Sequence, residues 1–275
     1  MSRLAARTAI VTGAGQGIGR SVALKLAEEG ASVVVNDLDV GLSESTVDEI
    51  VAAGGQAVSC AGSVTEDGFS ERFVDVAVSS FGSLDIIVNN AGYTWDSVIQ
   101  NMTDEQWDAM QDVHVKAPFR ILRAAQPIIR SQARADADAG RPVTRKVVNV
   151  TSISGTDGQA GQANYSAAKA GVVGLTLSLA KEWGRYNTTV NAVGFGFIRT
   201  RITESRAVQD GTFVVDGHEV KAGLPPDRFA ELESLVPLGR AGTPEEAAGA
   251  VYLLCSPESD YVSGEVLICG GGYHF

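Results

Sequence analysis

Residues 8–19, TAIVTGAGQGIG, constrain this chain more than any other stretch. A short apolar, β-branched run from Thr8 to Thr12 stops at Gly13, and an amphipathic segment from Ile18 to Glu29 follows directly. A buried strand delivered into a glycine-rich turn and then a helix reads as the opening of a βαβ unit. Gly13 permits the tight turn, Gly17 lets backbone approach a diphosphate, and Gly19 lets the helix pack close to the strand. The start of the helix adds N–H groups and positive partial charge. The glycines are spaced G-x-x-x-G-x-G, with Gly15 as an additional match, rather than in the commoner G-x-G-x-x-G. Gly13, Gln16, Gly17, Ile18 and Gly19 therefore read as a dinucleotide site, and the position between strand and helix weighs against a purely structural turn.

The rest of the chain repeats the alternation. Apolar runs at Ala31–Asn36, Gln56–Cys60, Leu84–Val88, Lys146–Val150 and Thr188–Val193 are separated by helical periodicity over Gly41–Ala53, Glu66–Ser80 and Thr103–Ala133. This pattern predicts an α/β fold, a doubly wound parallel sheet of about seven strands with helices on both faces. Thr103 with Gln106 three residues later is a capping box, and Pro118 and Pro127 are expected to bend the long helix that follows. Ala133–Arg145 reads as a polar surface excursion. Asp37 closes the second strand about twenty residues after the glycines. A carboxylate there can accept hydrogen bonds from the adenosine ribose and repel a 2′-phosphate, so NAD is expected in preference to NADP. A solvated strand-end aspartate is the plainer reading.

Asn149–Gly174, NVTSISGTDGQAGQANYSAAKAGVVG, carries the chemistry. A strand delivers Ser152 into a glycine-rich loop, and the helix beyond carries Tyr165 and, one turn later, Lys169. Positions i and i+4 share a helix face. A lysine ammonium there is expected to lower the phenol pKa from its usual ~10 and fit Tyr165 for acid–base work. Ser152 would hold the oxygen of a carbinol or carbonyl.

Ser, Tyr and Lys at this spacing, together with TGAGQGIG and NNAG, resemble the short-chain dehydrogenase/reductase family over essentially the whole chain. The resemblance implies a single dinucleotide-binding oxidoreductase domain over residues 1–275, with a substrate lid at about 200–236. Further cofactor contacts are expected from Leu38, Ser63, Val64, Asn90, Ala91, Gly92, Gly196, Ile198 and Thr200, besides Tyr165 and Lys169. The chain departs from the pattern at three places. Ser63 stands where relatives usually place an aspartate for the adenine amino group. Phe195 replaces a proline, bringing a ring that can cover the nicotinamide or line the substrate site. His114 replaces an asparagine that holds a relay water. Two roles are open to His114, a catalytic one in that relay or that of a hydrogen-bonded core histidine, and the catalytic one is favoured. The lid is expected to turn Phe213, Val214, Val215, Leu224 and Phe229 inward. Arg201, Arg206, His218, Lys221 and Arg228 can meet an anion there, although scattered cations are usually just solvated. Among relatives, GQANYSAAKAGVVGLT and PLGRAGTPEEAA look most like 3-oxoacyl reductases and hydroxyacyl dehydrogenases. A homotetramer is implied by the family and not shown by the residues.

Composition narrows the alternatives. A net charge of −11 opposes attraction to nucleic acid or anionic membranes, so a small alcohol or ketone is the expected partner. His114, His218 and His274 have no metal-ligand spacing to Cys60, Cys255 and Cys269, and no metal is expected. With neither a leader pattern nor a run of ~18 apolar residues, the expected location is cytoplasmic. The reading is therefore an NAD(H)-dependent oxidoreductase interconverting a secondary alcohol and a ketone. The alternative is a non-catalytic dinucleotide sensor or scaffold on the same fold.

Overall fold

The computed structural model describes residues 2–204, 211–215 and 217–273. Arg206 and His274 lie outside the described residues, as do the side chains of Phe213 and Lys221. The strands are β1 (Thr8–Val11), β2 (Ser32–Val35), β3 (Gln56–Ser59), β4 (Ile86–Asn89), β5 (Arg145–Ser152), β6 (Thr188–Phe195), β7 (Gly211–Val215), β8 (His218–Ala222) and β9 (Val266–Cys269). The helices are α1 (Gly17–Glu28), α2 (Val40–Ala52), α3 (Phe69–Phe81), α4 (Asp104–Gln111), α5 (Ala117–Asp138), α6 (Ser154–Asp157), α7 (Ala163–Trp183), α8 (Pro226–Ser234) and α9 (Pro244–Cys255).

Seven strands form one sheet in the order β3-β2-β1-β4-β5-β6-β9, with parallel pairing throughout. Strands that are buried on both faces divide their residues between two cores. Ala9, Val11, Val33, Val35, Ile86, Val88, Val148 and Val150 pack with α1 and α9, while Ile10, Val34, Ile87 and Val147 pack with α3, α5 and α7. The strand order reverses between β1 and β4, and at that switch point ligands settle beyond the carboxyl ends of an open α/β sheet.

Three expectations are revised. The single helix Thr103–Ala133 is two helices joined by a π-helical turn, Asp112–Lys116; Pro118 follows directly and lacks the N–H that would bond the His114 carbonyl, so the helical bonding pattern changes just before it. The Thr103–Gln106 capping box is present. The surface excursion shrinks, because α5 runs on to Asp138 and Arg145 is buried at the start of β5, 2.8 Å from Asp136 and 3.6 Å from Asp85. The irregular segment after residue 200 contains an antiparallel hairpin, β7–β8, followed by α8. That hairpin rests on the rest of the chain through His218, whose ring lies 4.2 Å from Trp95 and whose Nδ1 is 3.8 Å from Glu105. No helix among the described residues is long and apolar enough to cross a membrane.

Candidate active site

A crevice of about 700 Å³ opens at the switch point and runs from the glycine loop to the start of α7. Each predicted site residue lines it: Gly13, Gln16, Gly17, Ile18, Gly19, Asp37, Leu38, Ser63, Val64, Asn90, Ala91, Gly92, His114, Ser152, Tyr165, Lys169, Gly196, Ile198 and Thr200. Phe195 lines it as well, from the end of β6.

The glycine loop is braced from beneath. Asn90 donates through Nδ2 to the carbonyls of Thr12 and Gly13, and the Thr12 hydroxyl accepts from the backbone of Asn90 and Ala91. A Cβ at Gly19 would lie 2.1 Å from the Gly13 carbonyl oxygen, so only glycine allows α1 this close to β1. Gly17 has φ +55° and nothing within 4 Å of where a Cβ would stand. No side chain caps the start of α1, leaving its first N–H groups to an anion from the crevice. These features fit a dinucleotide diphosphate. Asn36, which the sequence reading passed over, ties the loop to the next strand end: its Oδ1 accepts from Gly13, and its Nδ2 donates to Cys60 and Gly62.

Asp37 lines the crevice and is tied to the loop it closes. Its Oδ2 accepts from the Gly15 backbone at 2.9 Å and its Oδ1 from the Asp39 backbone at 3.2 Å. Ser63 hydrogen-bonds Thr65 at 2.8 Å beside the adenosine end of the crevice.

At the other end, Ser152, Tyr165 and Lys169 meet. Asn149 on β5 is bonded to Asn89 on β4 and to Thr176 on α7, and this buried amide–hydroxyl chain fixes strand and helix relative to each other. Ser152 hydrogen-bonds the Tyr165 phenol. Lys169, only 4% exposed, donates through Nζ to the Val150 carbonyl at 2.8 Å, and its Nζ lies 5.6 Å from the Tyr165 ring centroid.

The expected acidification of Tyr165 is not what this arrangement produces. Burial pushes the phenol up to about 12; the Ser152 hydrogen bond lowers it by less, and the charge of Asp96 raises it further. Burial also brings Lys169 down to about 7. Desolvation disfavours both charged forms and is the largest influence on each.

His114 sits on the π-turn, 3% exposed, its ring edge-on to Tyr165 at 5.0 Å. Such turns often mark functional positions. Its Nε2 lies 2.8 Å from the Tyr93 carbonyl, an acceptor only, so Nε2 carries the proton and Nδ1 is left as a lone pair. Nδ1 is buried and unpartnered. Burial, and next the charge of Lys169, hold the imidazole well below its usual range, so it is neutral rather than the near-6.5 proton exchanger expected from the sequence.

The segment after residue 200 contributes Val214, Val215 and Leu224 to the crevice wall, whereas Phe229 packs on Phe197 at 5.1 Å. Among its described cations, Arg228 pairs with Glu231, His218 lies against Trp95 and Glu105, and only Arg201 lines the crevice. The sequence reading also missed Asp96 and Gln162, bonded at 2.9 Å on the substrate side near Ser154. Their position shortly after NNAG and just before Tyr165 was the available signal.

A family model described as enoyl-(acyl carrier protein) reductase matches residues 13–274. The chain is similar to a 3-oxoacyl-[acyl-carrier-protein] reductase of Thermotoga maritima, 35% identical over 270 residues covering 98% of both chains. It is similar to one of Synechocystis, 35% identical over 274 residues covering 99% of this chain and 98% of the other. A Staphylococcus aureus 3-oxoacyl-[acyl-carrier-protein] reductase is 36% identical over 270 residues, covering 98% of both.

These relatives overturn the expected preference for NAD, which went with an oxidising direction: they are named as reductases of oxoacyl groups. Asp37 is a weak guide to that preference: each of its carboxylate oxygens holds a backbone N–H of the loop and turn, so a carboxylate at this strand end has a structural job whichever dinucleotide binds. With its glycine loop braced against NNAG, its Ser152, Tyr165 and Lys169 gathered at the far end of one crevice, and oxoacyl reductases aligned along nearly its full length, the chain belongs to the short-chain dehydrogenase/reductase family.

Proposed function

We propose that this protein reduces the ketone of a 3-oxoacyl thioester, or of a closely related 3-oxo compound, to the secondary alcohol by hydride transfer from a nicotinamide dinucleotide. The observation that carries the reading is the gathering of Ser152, Tyr165 and Lys169 at one end of the crevice, in a chain similar along nearly its full length to 3-oxoacyl reductases. Burial favours the neutral phenol, the form that can give a proton to a carbonyl oxygen during reduction.

When bound, the dinucleotide supplies the hydride. The protein's own residues do the rest. The Ser152 and Tyr165 hydroxyls hold the carbonyl oxygen, and Tyr165 gives it a proton as negative charge develops there. Lys169, titrating near 7, exchanges protons with solvent at neutral pH and restores the phenol. Two hydroxyl donors facing one oxygen suit a C=O group better than the C=C bond implied by the matching family model's description. Val214, Leu224 and Phe197 along the crevice suit the acyl chain.

His114 takes part as a neutral positioning group, its ring held edge-on against Tyr165 while its Nε2 donates to the Tyr93 carbonyl. Replacing His114 with alanine is expected to lower kcat about tenfold or more and to displace the limb of the pH profile near 7. An unchanged turnover with an unchanged profile refutes the role and leaves His114 as a core residue. A homotetramer and a cytoplasmic location go with this reading; half-exposed Phe119 and Leu177 on α5 and α7, and Leu253 on α9, support the assembly.

The deciding experiment follows absorbance at 340 nm with NADH and NADPH against 3-oxoacyl thioesters, simple ketones and oxosteroids. Turnover is expected to favour the thioesters. Absence of turnover with every ketone, in a protein that still binds a dinucleotide, would establish the non-catalytic alternative instead.

A further inference from the structure

The crevice poses an electrostatic problem for an anionic ligand. The protein carries a net charge of −11, and Asp37, Asp39 and Asp96 line the crevice wall. Among the described residues, the basic side chains of the wall besides neutral His114 are Lys169, brought down to about 7 by burial, and Arg201. Lys169 is committed at the Tyr165 end. Arg20, next to the glycine loop in sequence, pairs with Glu49 on α2.

Arg201 is held where a diphosphate would need it. It follows Thr200 in a tight turn closed by the Glu204 backbone donating to the Thr200 carbonyl at 2.7 Å and by the Thr203 hydroxyl accepting from the Thr200 backbone at 2.9 Å. The Gly223 backbone donates to the Arg201 carbonyl at 3.1 Å, so the base of the lid is tied to the same turn. From there the guanidinium reaches across the crevice to the other end of the sequence. Its Nη1 donates to Gln16 Oε1 at 3.3 Å. Gln16 is the N-cap of α1, whose uncapped N–H groups form the anion cradle described above. The guanidinium thus stands one side chain away from the N-cap of α1. Partial burial lowers its pKa while the charge of Asp37 raises it, and a guanidinium is charged at neutral pH in either case.

We infer that Arg201 is a cofactor-binding residue, a clasp from the lid turn that pairs with the dinucleotide diphosphate over the α1 N-terminus and, through Gln16, closes the crevice mouth. The inference rests on the dinucleotide reading above. A planar guanidinium forms bidentate, charge-assisted hydrogen bonds to phosphate oxygens, and a partly desolvated site strengthens them. The same contact links the cofactor site to Gly223, whose backbone N–H donates to the Arg201 carbonyl.

The test is calorimetric binding of adenosine, ADP and ADP-ribose to the wild-type protein and to Arg201→Gln, without any substrate. The wild type is expected to bind ADP-ribose more tightly than adenosine. Arg201→Gln should weaken ADP and ADP-ribose about tenfold, leave adenosine within about twofold, and flatten the salt dependence of ADP-ribose binding. Arg201→Lys should restore part of the loss, since a point charge replaces the fork. Equal ADP-ribose binding by wild type and Arg201→Gln overturns the clasp while leaving the dinucleotide site in place. Equal weakening of adenosine and ADP-ribose also overturns it, since the loss would then come from the fold. A wild-type protein that binds none of the three overturns the dinucleotide reading itself.

Discussion

Tyr165→Phe is expected to lower kcat by at least about a thousandfold while leaving dinucleotide affinity within about twofold. The prediction is clean because the substitution removes one oxygen and little else. The ring keeps its edge-on contact with His114 at 5.0 Å. Ser152 keeps its other partners, accepting from the Ser154 backbone at 3.2 Å and donating to the Phe195 carbonyl at 3.4 Å, so no buried group is orphaned. Melting temperature should therefore change by no more than a few degrees. Single-turnover rates with a 3-oxoacyl thioester separate the chemical step from product release. A variant retaining a tenth of wild-type turnover removes Tyr165 from the proton transfer.

The parts of this site that were legible in the sequence are those fixed by local rules. Gly19 is glycine because a Cβ would strike the Gly13 carbonyl, and Tyr165 and Lys169 share a face because the helix period demands it. The seven-stranded sheet was readable from short β-branched runs between helical segments, and the structure divides those runs between two cores by strict alternation. What was not legible depends on surroundings that no local pattern states. Burial reversed the direction of the Tyr165 pKa and made His114 neutral, because neighbours distant in the chain remove both from water. The π-turn that presents His114 was announced only by Pro118, which lacks the N–H that would bond the His114 carbonyl one turn back. The hairpin after residue 210 did have a signal, Asp216-Gly217 between TFVV and HEVKA, with Gly217 at φ +83° as the turn demands. It was passed over because the surrounding glycines and prolines suggested irregular chain. Asp37 shows the opposite case, in which one carboxylate was read for cofactor preference alone while it also holds two backbone N–H groups of the loop it closes.

Lys169→Met is expected to stabilise the fold in acid and destabilise it in alkali while lowering turnover by about a hundredfold or more. The sign follows from where the proton binds. Lys169 titrates near 7 in the folded protein, against an ordinary value of 10.5. Between those two values the unfolded chain holds a proton that the folded protein has released, so the wild-type protein gains stability as pH rises through that window. At about 1.4 kcal/mol per pKa unit, the shift sets a ceiling of roughly 5 kcal/mol on this burial cost, fully felt below pH 7 and relieved toward 10.5. Methionine occupies similar volume without a charge and escapes the cost. It also forfeits the donor to the Val150 carbonyl, leaving a buried acceptor unmet at about 1–3 kcal/mol, and that term does not depend on pH. Tyr165 adds nothing to the difference below pH 9, since its phenol is neutral in both the folded and the unfolded state there. Urea unfolding of both proteins from pH 6 to pH 10 should therefore give stability curves that cross, with the variant more stable at pH 6 and the wild type at pH 10. A difference that stays constant over that range would mean that the ammonium is paid for by contacts within the folded protein, and that Lys169 is not the proton carrier that its burial makes it.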